Sequence, residues 1–210
     1  MRIITISREF GSGGRELGKR IADILGYDYY DREIITAIAE KNGYEENYVE
    51  YALNNHQWQT IPLTFRHSFI TPMIIQAPQT NLLLEQKRVI EEIARAGKNC
   101  VIVGRNADVL LQEENPFNIF VCADMDTKIA RCKERADENE QLNDKEMKRQ
   151  IMRIDKNRSK VRYMLADGSW GDRKSYHLIV NTTGWKIEDL AKPVADLADA
   201  WYNAKENSKE

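Results

Sequence analysis

Short β-branched runs alternate along this chain with longer stretches whose apolar residues have helical spacing. The first run, Arg2–Ile6, predicts a buried strand. From Leu17 to Leu25 the apolar residues recur every three or four positions, with charged residues between them, which predicts a helix that begins close to Gly14. The chain therefore starts with a strand, a glycine-rich turn and a helix.

The same alternation continues to the end of the sequence. Further strands are predicted at Tyr27–Asp31, Cys100–Val103, Asn118–Val121 and Tyr176–Val180. Further helices are predicted from Ile34 to Gly43 and over Tyr44–Asn55, Asn81–Ala96, Met125–Asp137, Asp144–Met164 and Ile187–Ala204. Strands that alternate with helices over short connections predict an α/β fold with a parallel sheet covered on both faces.

Segment 56–80 breaks this pattern. It contains Pro62, Pro72 and Pro78, several aromatic residues and few charges. Such a composition predicts a mobile, partly apolar excursion that serves as a lid or a dimer contact, with an irregular surface loop as the alternative.

Length and charge narrow the range of partners. The 210 residues suit one domain, and a net charge of -2 from 31 basic and 33 acidic residues argues against nucleic acid or a membrane as partner. No run approaches the roughly 20 apolar residues of a membrane span, and no signal-peptide pattern is present, so a cytoplasmic protein is expected. The three cysteines lack C-x-x-C spacing and are predicted to be reduced, structural and without a metal.

The glycine-rich turn is the strongest candidate for chemistry. Gly11, Gly13 and Gly14 allow backbone N–H groups to converge at a helix N-terminus, which favours phosphate binding. The phosphate-binding pattern G-x-x-x-x-G-K-[ST] is nevertheless not matched, because Arg8 replaces its first glycine and Gly14 its lysine. A tight turn without a ligand is the alternative.

Two other positions lie at the carboxyl ends of predicted strands. Arg105 follows a buried strand after one glycine, and its planar fork there suits an anion, although a structural salt bridge would also explain it. Asp31 either caps the next helix or faces a ligand at the carboxyl end of the sheet.

The long helix from Asp144 is strongly basic. Arg149, Arg153 and Lys156 share one stripe, and Arg158 and Arg162 lie on an adjacent one. Such a run usually forms a solvated face, and the functional interpretation is an arginine-bearing lid that closes over transferred phosphate.

Taken together, these motifs resemble the cytidylate kinases among the nucleoside monophosphate kinases. The family's I-T-I-D-G-P-S-G-x-G-K-G-T lies over residues 4–16, Y-x-D-S-G over 29–33, D-G-R-D over 103–106, D-R-N-R over 155–158 and D-T-T over 181–183. The run S-R-E-F-G-S-G-G-R-E is also similar to the opening of a bacterial branch of cytidylate-kinase-like proteins.

This resemblance implies one P-loop kinase-like domain over residues 1–205. A three-layer parallel sheet flanked by helices would carry a helical substrate-binding insertion at about 32–80 and a helical lid at about 144–165. The cofactors would be ATP and Mg²⁺, and the partner a nucleotide or another small phosphate-bearing substrate.

The resemblance also implies roles for individual residues. The turn would hold the donor phosphates, and Arg105 would hold the acceptor or transferred phosphate. Asp155 and Arg158 would belong to the lid and the sugar site, and Asn106 would help to recognise the base. The implied nucleotide-binding residues are Arg8, Gly11, Ser12, Gly13, Gly14 and Glu16. The implied substrate-binding residues are Asp31, Asn106, Arg153 and Asp155.

Several departures from the family pattern bear on catalysis. Gly14 removes the lysine, Glu16 the Mg²⁺ hydroxyl and Val103 a strand-end acid, and Ile151 and Ala37 stand where arginines are expected. Catalysis then needs replacements. Arg15 would stabilise the transferring phosphoryl, with Arg8 as the alternative, and Glu16 and Asp31 would bind Mg²⁺.

Three hypotheses follow for the function. The first is an ATP-dependent phosphotransferase of the nucleoside monophosphate kinase type, with Arg15, Arg105 and Arg158 as catalytic residues. The second is a nucleotide-binding or sensing protein that kept the fold and lost the chemistry. The third is a homo-oligomer in which the aromatic stretch 58–69 packs between subunits.

Overall fold

A parallel five-stranded sheet forms the centre of the molecule. The computed structural model describes residues 1–46, 49, 50, 53, 79–136, 142–166 and 169–208. The strands are β1 (Ile3–Arg8), β2 (Asp28–Tyr30), β3 (Cys100–Val103), β4 (Phe117–Cys122) and β5 (Leu178–Asn181), in the spatial order β2-β3-β1-β4-β5. All neighbours pair in parallel, which confirms the α/β architecture.

Seven α-helices in the described residues flank the sheet. They are α1 (Gly14–Leu25), α2 (Glu33–Asn42), α3 (Gln79–Arg95), α4 (Ala107–Leu110), α5 (Met125–Arg135), α6 (Asp144–Leu165) and α7 (Ile187–Asn207). Short 3₁₀ turns lie at Gln112–Glu114 and Arg173–Ser175. None of the helices in the described part of the chain is long and apolar enough to cross a membrane.

The two faces of the sheet bury separate apolar cores. Successive side chains of a strand point to opposite faces, so Ile4 and Ile6 of β1 pack with α1 and α7, whereas Ile3 packs with α2 and α3. This burial of both faces explains why β3 is a continuous apolar run and why Thr5 and Ser7 of β1 are buried as well.

A third, small cluster places α6 beside the glycine-rich turn. Met147 and Ile151 of α6 are fully buried against Ile129 of α5, and Phe10 of the turn packs on them. Ile151 replaces the arginine that the cytidylate kinase pattern expects, and it is a core residue here.

Element boundaries differ from the predictions in a few places. β1 continues to Arg8, and the short helix α4 was not predicted. The simple N-cap interpretation of Asp31 is wrong, because Arg32 occupies the N-cap of α2 and the backbone N–H of Asp31 donates to the Glu33 carboxylate. The predicted helix at 44–55 and the segment 56–80 lie largely outside the described residues.

Candidate functional site

The turn between β1 and α1 is a cradle of backbone donors. Gly11 and Gly13 have φ of 77° and 83°, the left-handed region that glycine tolerates best. A Cβ on Gly13 would lie 2.4 Å from Ile187 Cδ1, so no larger residue fits there unchanged. Among the described residues, the first N–H groups of α1 have no acceptor before Leu17, which bonds to the Gly13 carbonyl. These free donors suit an anion.

Two side chains, Thr182 directly after β5 and Arg131 of α5, support the turn through hydrogen bonds. Thr182 Oγ1 and Arg131 Nη1 both donate to the Ser12 carbonyl, at 2.7 and 3.1 Å. Arg131 also donates to the carbonyls of Thr182 and Trp185. The hydroxyl of Ser12 donates to the Glu9 carbonyl at 2.8 Å, so this side chain closes the turn on itself.

A buried lysine joins the turn to α5 and α6. Lys128 Nζ lies 2.9 Å from Glu9 Oε2 and 3.6 Å from Asp155 Oδ2. Asp155 Oδ1 accepts the backbone N–H of Phe10 at 2.7 Å. Sequence reasoning predicted Asp155 but missed Glu9, Lys128 and Arg131. The spacing of Lys128 and Arg131, three apart on α5, is the only local signal that they face the same element.

Arg105 projects from a strained turn at the end of β3. Gly104, Arg105 and Asn106 are three successive residues with positive φ, at 74°, 57° and 53°. The left-handed conformation costs a non-glycine residue roughly 1–2 kcal/mol. Gln86 supports the turn by donating to the Arg105 carbonyl at 3.0 Å. Strain of this kind concentrates at functional sites, which marks this turn as a candidate.

Two further arginines lie on either side of Asp31. Arg15 Nε is 2.5 Å from Asp31 Oδ2, and Arg8 Nη2 is 3.6 Å from Asp31 Oδ1. The Arg15 side chain is 58% exposed, whereas that of Arg8 is 14% exposed. Arg158 of α6 donates from Nη1 to the Arg8 carbonyl at 3.0 Å.

The electrostatics of this arginine cluster, formed by Arg8, Arg15, Arg105 and Arg158, favour an anion. Burial, then repulsion from Arg8, lowers the pKa of Arg158 to about 9 and that of Arg105 to about 10. Glu50 and Asp31 act in the opposite direction on Arg105. Burial also lowers the pKa of Arg8 and raises that of Asp155. A bound anion would relieve the cost of holding these cations together.

Not every predicted residue joins this cluster. Glu16 pairs instead with Arg20 at 3.0 Å and Arg135 at 2.7 Å. Arg153 is exposed, two residues before Asp155 and therefore on the opposite side of α6. Asn106 is the N-cap of α4 and makes no side-chain capping bond.

Glu16 and Asp31 do not fit the predicted magnesium site, because each carboxylate is paired with arginines. Asp31 is held between the guanidinium groups of Arg8 and Arg15, which would repel a divalent cation, and Glu16 is bonded to other arginines. The described residues contain no group of three or more His, Cys, Asp or Glu side chains able to hold a metal ion.

A cavity of about 440 Å³ opens beside the start of α1. Its lining includes Glu16, Arg131, Arg135, Trp185 and Ile187. Trp185 is 55% exposed, so its ring is available to a ligand. The volume is within the ordinary range for small-molecule sites.

Comparison with known proteins identifies the family of this chain. The profile of the Cytidylate kinase-like family matches residues 3–184. The chain belongs to this family. No curated protein matches the sequence.

Solved structures similar to this cytidylate kinase-like protein share its fold. An uncharacterized protein from Eubacterium ventriosum is 22% identical, with a TM-score of 0.69 over 95% of this chain and 99% of the other. A shikimate kinase from Bacteroides thetaiotaomicron is 15% identical, with a TM-score of 0.57 over 94% and 98%. A shikimate kinase from Acinetobacter baumannii, in complex with shikimate, is 14% identical, with a TM-score of 0.53 over 95% and 94%. At these identities the likeness establishes a kinase-type fold.

Proposed function

We propose that this protein transfers the terminal phosphoryl group of ATP to a small acceptor that carries a phosphate. The observation that carries the proposal is the convergence of Arg8, Arg105 and Arg158 beside the start of α1, whose first N–H groups have no acceptor among the described residues before Leu17. Phosphoryl transfer depends mainly on positioning and charge stabilisation, which such a site supplies.

The two parts of the site suit different parts of the substrates. The N–H groups of the turn would hold the donor phosphates, and the cavity at Trp185 would hold the nucleoside. Arg105 and Arg158 would hold the acceptor phosphate, with Asp155 orienting Arg158 at 3.4 Å. Because the carboxylates do not fit a metal, Mg²⁺ would accompany ATP through its phosphates and water.

The alternative function is nucleotide sensing without catalysis. It is favoured by the glycine at position 14 and by the lack of a fitting metal-binding group in the part of the chain that the structure describes, because both lysine and metal normally stabilise the transition state. Binding of nucleotide without turnover would distinguish this function from the kinase.

The first experiment measures thermal stabilisation by ATP, ADP and nucleoside monophosphates, with and without Mg²⁺. A coupled assay then measures ADP release with each nucleoside monophosphate as acceptor. Stabilisation with ADP release supports the kinase, and stabilisation without release for every acceptor supports the sensor. If no nucleotide stabilises the protein, both functions are contradicted.

A variant pair connects turnover to the arginine cluster. Arg105→Ala is expected to lower kcat/KM by roughly 10²–10³-fold, because it removes a preorganised positive charge. Arg95→Ala is the control, since Arg95 lies exposed on α3 and pairs with Glu91. Equal kcat/KM values for the two variants would contradict the role of Arg105.

A further inference from the structure

Arg8 takes up the space that two glycines leave free. A Cβ on Gly14 would lie 2.6 Å from Arg8 Cβ and 3.1 Å from Arg8 Cγ. A Cβ on Gly104 would lie 1.5 Å from Arg8 Nη1. The stem of Arg8 thus runs along the first residue of α1, and its guanidinium lies on the strained turn that presents Arg105.

Compared with the G-x-x-x-x-G-K pattern, glycine and cation have exchanged places. The pattern has glycine at the position of Arg8 and lysine at the position of Gly14. The overlap at Gly14 shows that both cations cannot be present in this backbone. We propose that Arg8 performs the task of the missing lysine and contacts the transferring phosphoryl group, and this assignment rests on the proposed function.

The surroundings of Arg8 fit this role better than those of Arg15. Arg8 is mostly buried, its backbone carbonyl accepts from Arg158, and its positive charge contributes to lowering the pKa of both Arg105 and Arg158. Arg15 is largely exposed and is bonded through Nε to Asp31. A guanidinium can bridge two phosphate oxygens, and its effect is larger where water is excluded.

The step requires no proton from Arg8. An oxygen of the acceptor phosphate forms a bond to the γ-phosphorus while the bond to the β–γ bridging oxygen breaks, and ADP leaves with that electron pair. Arg8 keeps its protons and donates hydrogen bonds to the non-bridging oxygens, where negative charge is stabilised.

The packing is tested by unfolding, independently of activity. Gly14→Ala is expected to lower Tm in the wild-type background, because the new Cβ overlaps Arg8. In the Arg8→Gly background the same change is expected to lower Tm much less, because only the contact with Val121 Cβ, at 3.2 Å, remains and alanine is the better helix former. An equal loss of Tm in both backgrounds would overturn the exchange of places.

The catalytic role is tested by removing the positive charge from position 8 and then by placing one at position 14. Arg8→Met, which keeps the stem, is expected to lower kcat for ADP release by roughly 10²–10³-fold. The double variant Arg8→Gly/Gly14→Lys is expected to recover at least tenfold over Arg8→Gly, and Arg95→Ala serves as the control. Wild-type turnover in a folded Arg8→Met protein would overturn the assignment.

A further measurement distinguishes failure of the Arg8 assignment from failure of the proposed kinase function. If the wild type binds nucleotide without releasing ADP, the measured quantity becomes its affinity for a non-hydrolysable ATP analogue. Arg8→Met is then expected to weaken this affinity at least tenfold, and unchanged affinity would overturn the role of Arg8 alone. A wild type that binds no nucleotide would overturn both proposals.

Discussion

Single glycines decide the shape of the candidate site. Glycine is required at position 13 for two reasons. Its φ is 83°, and a larger side chain there would overlap Ile187. Gly43 has a similar φ of 66°, but a Cβ there would meet nothing within 4 Å. The two positions therefore separate backbone strain from steric overlap.

We expect Gly13→Ala to destabilise the protein more than Gly43→Ala does. Gly43→Ala is expected to cost roughly 1–2 kcal/mol from the left-handed conformation alone. Gly13→Ala should cost about 1–3 kcal/mol more, because the added methyl group is forced against Ile187. Urea unfolding at neutral pH measures both, and adding Ile187→Ala should remove most of the difference. Equal costs would contradict the role of the Ile187 contact.

The glycines of the turn and the four arginines of the cluster could be picked out from sequence, whereas Arg131 and the ion pairs of the site could not. Three glycines between a strand and a helix, and an arginine after a buried strand, are local patterns. The bond between Phe10 and Asp155 joins residues 145 positions apart, and no local pattern encodes it. The pairing of Arg15 with Asp31 likewise depends on how β2 is placed in the sheet.

At the scale of elements, α6 is fixed at its C-terminal end by a buried ion pair. Arg162 Nη1 donates to Asp108 Oδ2 of α4, and Ser7 Oγ lies 3.4 Å from the other oxygen of Asp108. The inward stripe of the helix is therefore Ile151, Asp155, Arg158 and Arg162. Its periodicity was visible in the sequence, but whether it faced solvent or the sheet was not. The closing motion of this lid stays a prediction.

Breaking the pair is expected to be costly. Arg162→Met leaves Asp108 buried without its cation and should lower the free energy of unfolding by about 3–5 kcal/mol. The double variant Arg162→Met/Asp108→Leu should recover much of this loss, because no uncompensated charge remains. Chemical denaturation measures each value.

The control for this comparison lies on the same helix. Lys160 is exposed, and Lys160→Met should change the unfolding free energy by no more than about 0.5 kcal/mol. A similar small change for Arg162→Met would show that the pair contributes nothing to stability.

At the scale of the whole molecule, one histidine links strand β4 to the start of β5. His177 Nδ1 accepts the backbone N–H of Asn118 at 3.0 Å, and the ring stacks on Phe117. Burial, with a smaller contribution from Lys205, lowers the pKa of His177 below its ordinary 6.5. Burial in the folded protein therefore favours the neutral form of the ring.

This burial predicts the direction of the pH dependence. Below pH 6.5 the unfolded chain binds a proton at His177 that the folded protein resists, so its stabilising contribution is complete above that pH and is lost as pH falls toward the folded pKa. Unfolding of the wild type between pH 7 and pH 5 should therefore be more pH-dependent than that of His177→Gln, which keeps an acceptor for Asn118. Identical slopes would contradict the prediction.

The fold as a whole followed from periodicity, since a parallel sheet buried on both faces leaves continuous apolar runs. The short helix α4 was missed because its four residues are too few to show a period. The cavity at Trp185 was missed because its lining comes from α1, α5 and the segment that leads into α7. These elements lie far apart in the sequence and meet only in the folded structure.

The crowding between Arg8 and position 14 also limits how such loops evolve. A chain that changes from the lysine loop to the arginine loop one substitution at a time must pass through a loop with both cations, which overlap, or with neither, which lacks the charge. Both intermediates are expected to be selected against. The two loop types should therefore form separate lineages, each with its own pairing of residues at positions 8 and 14.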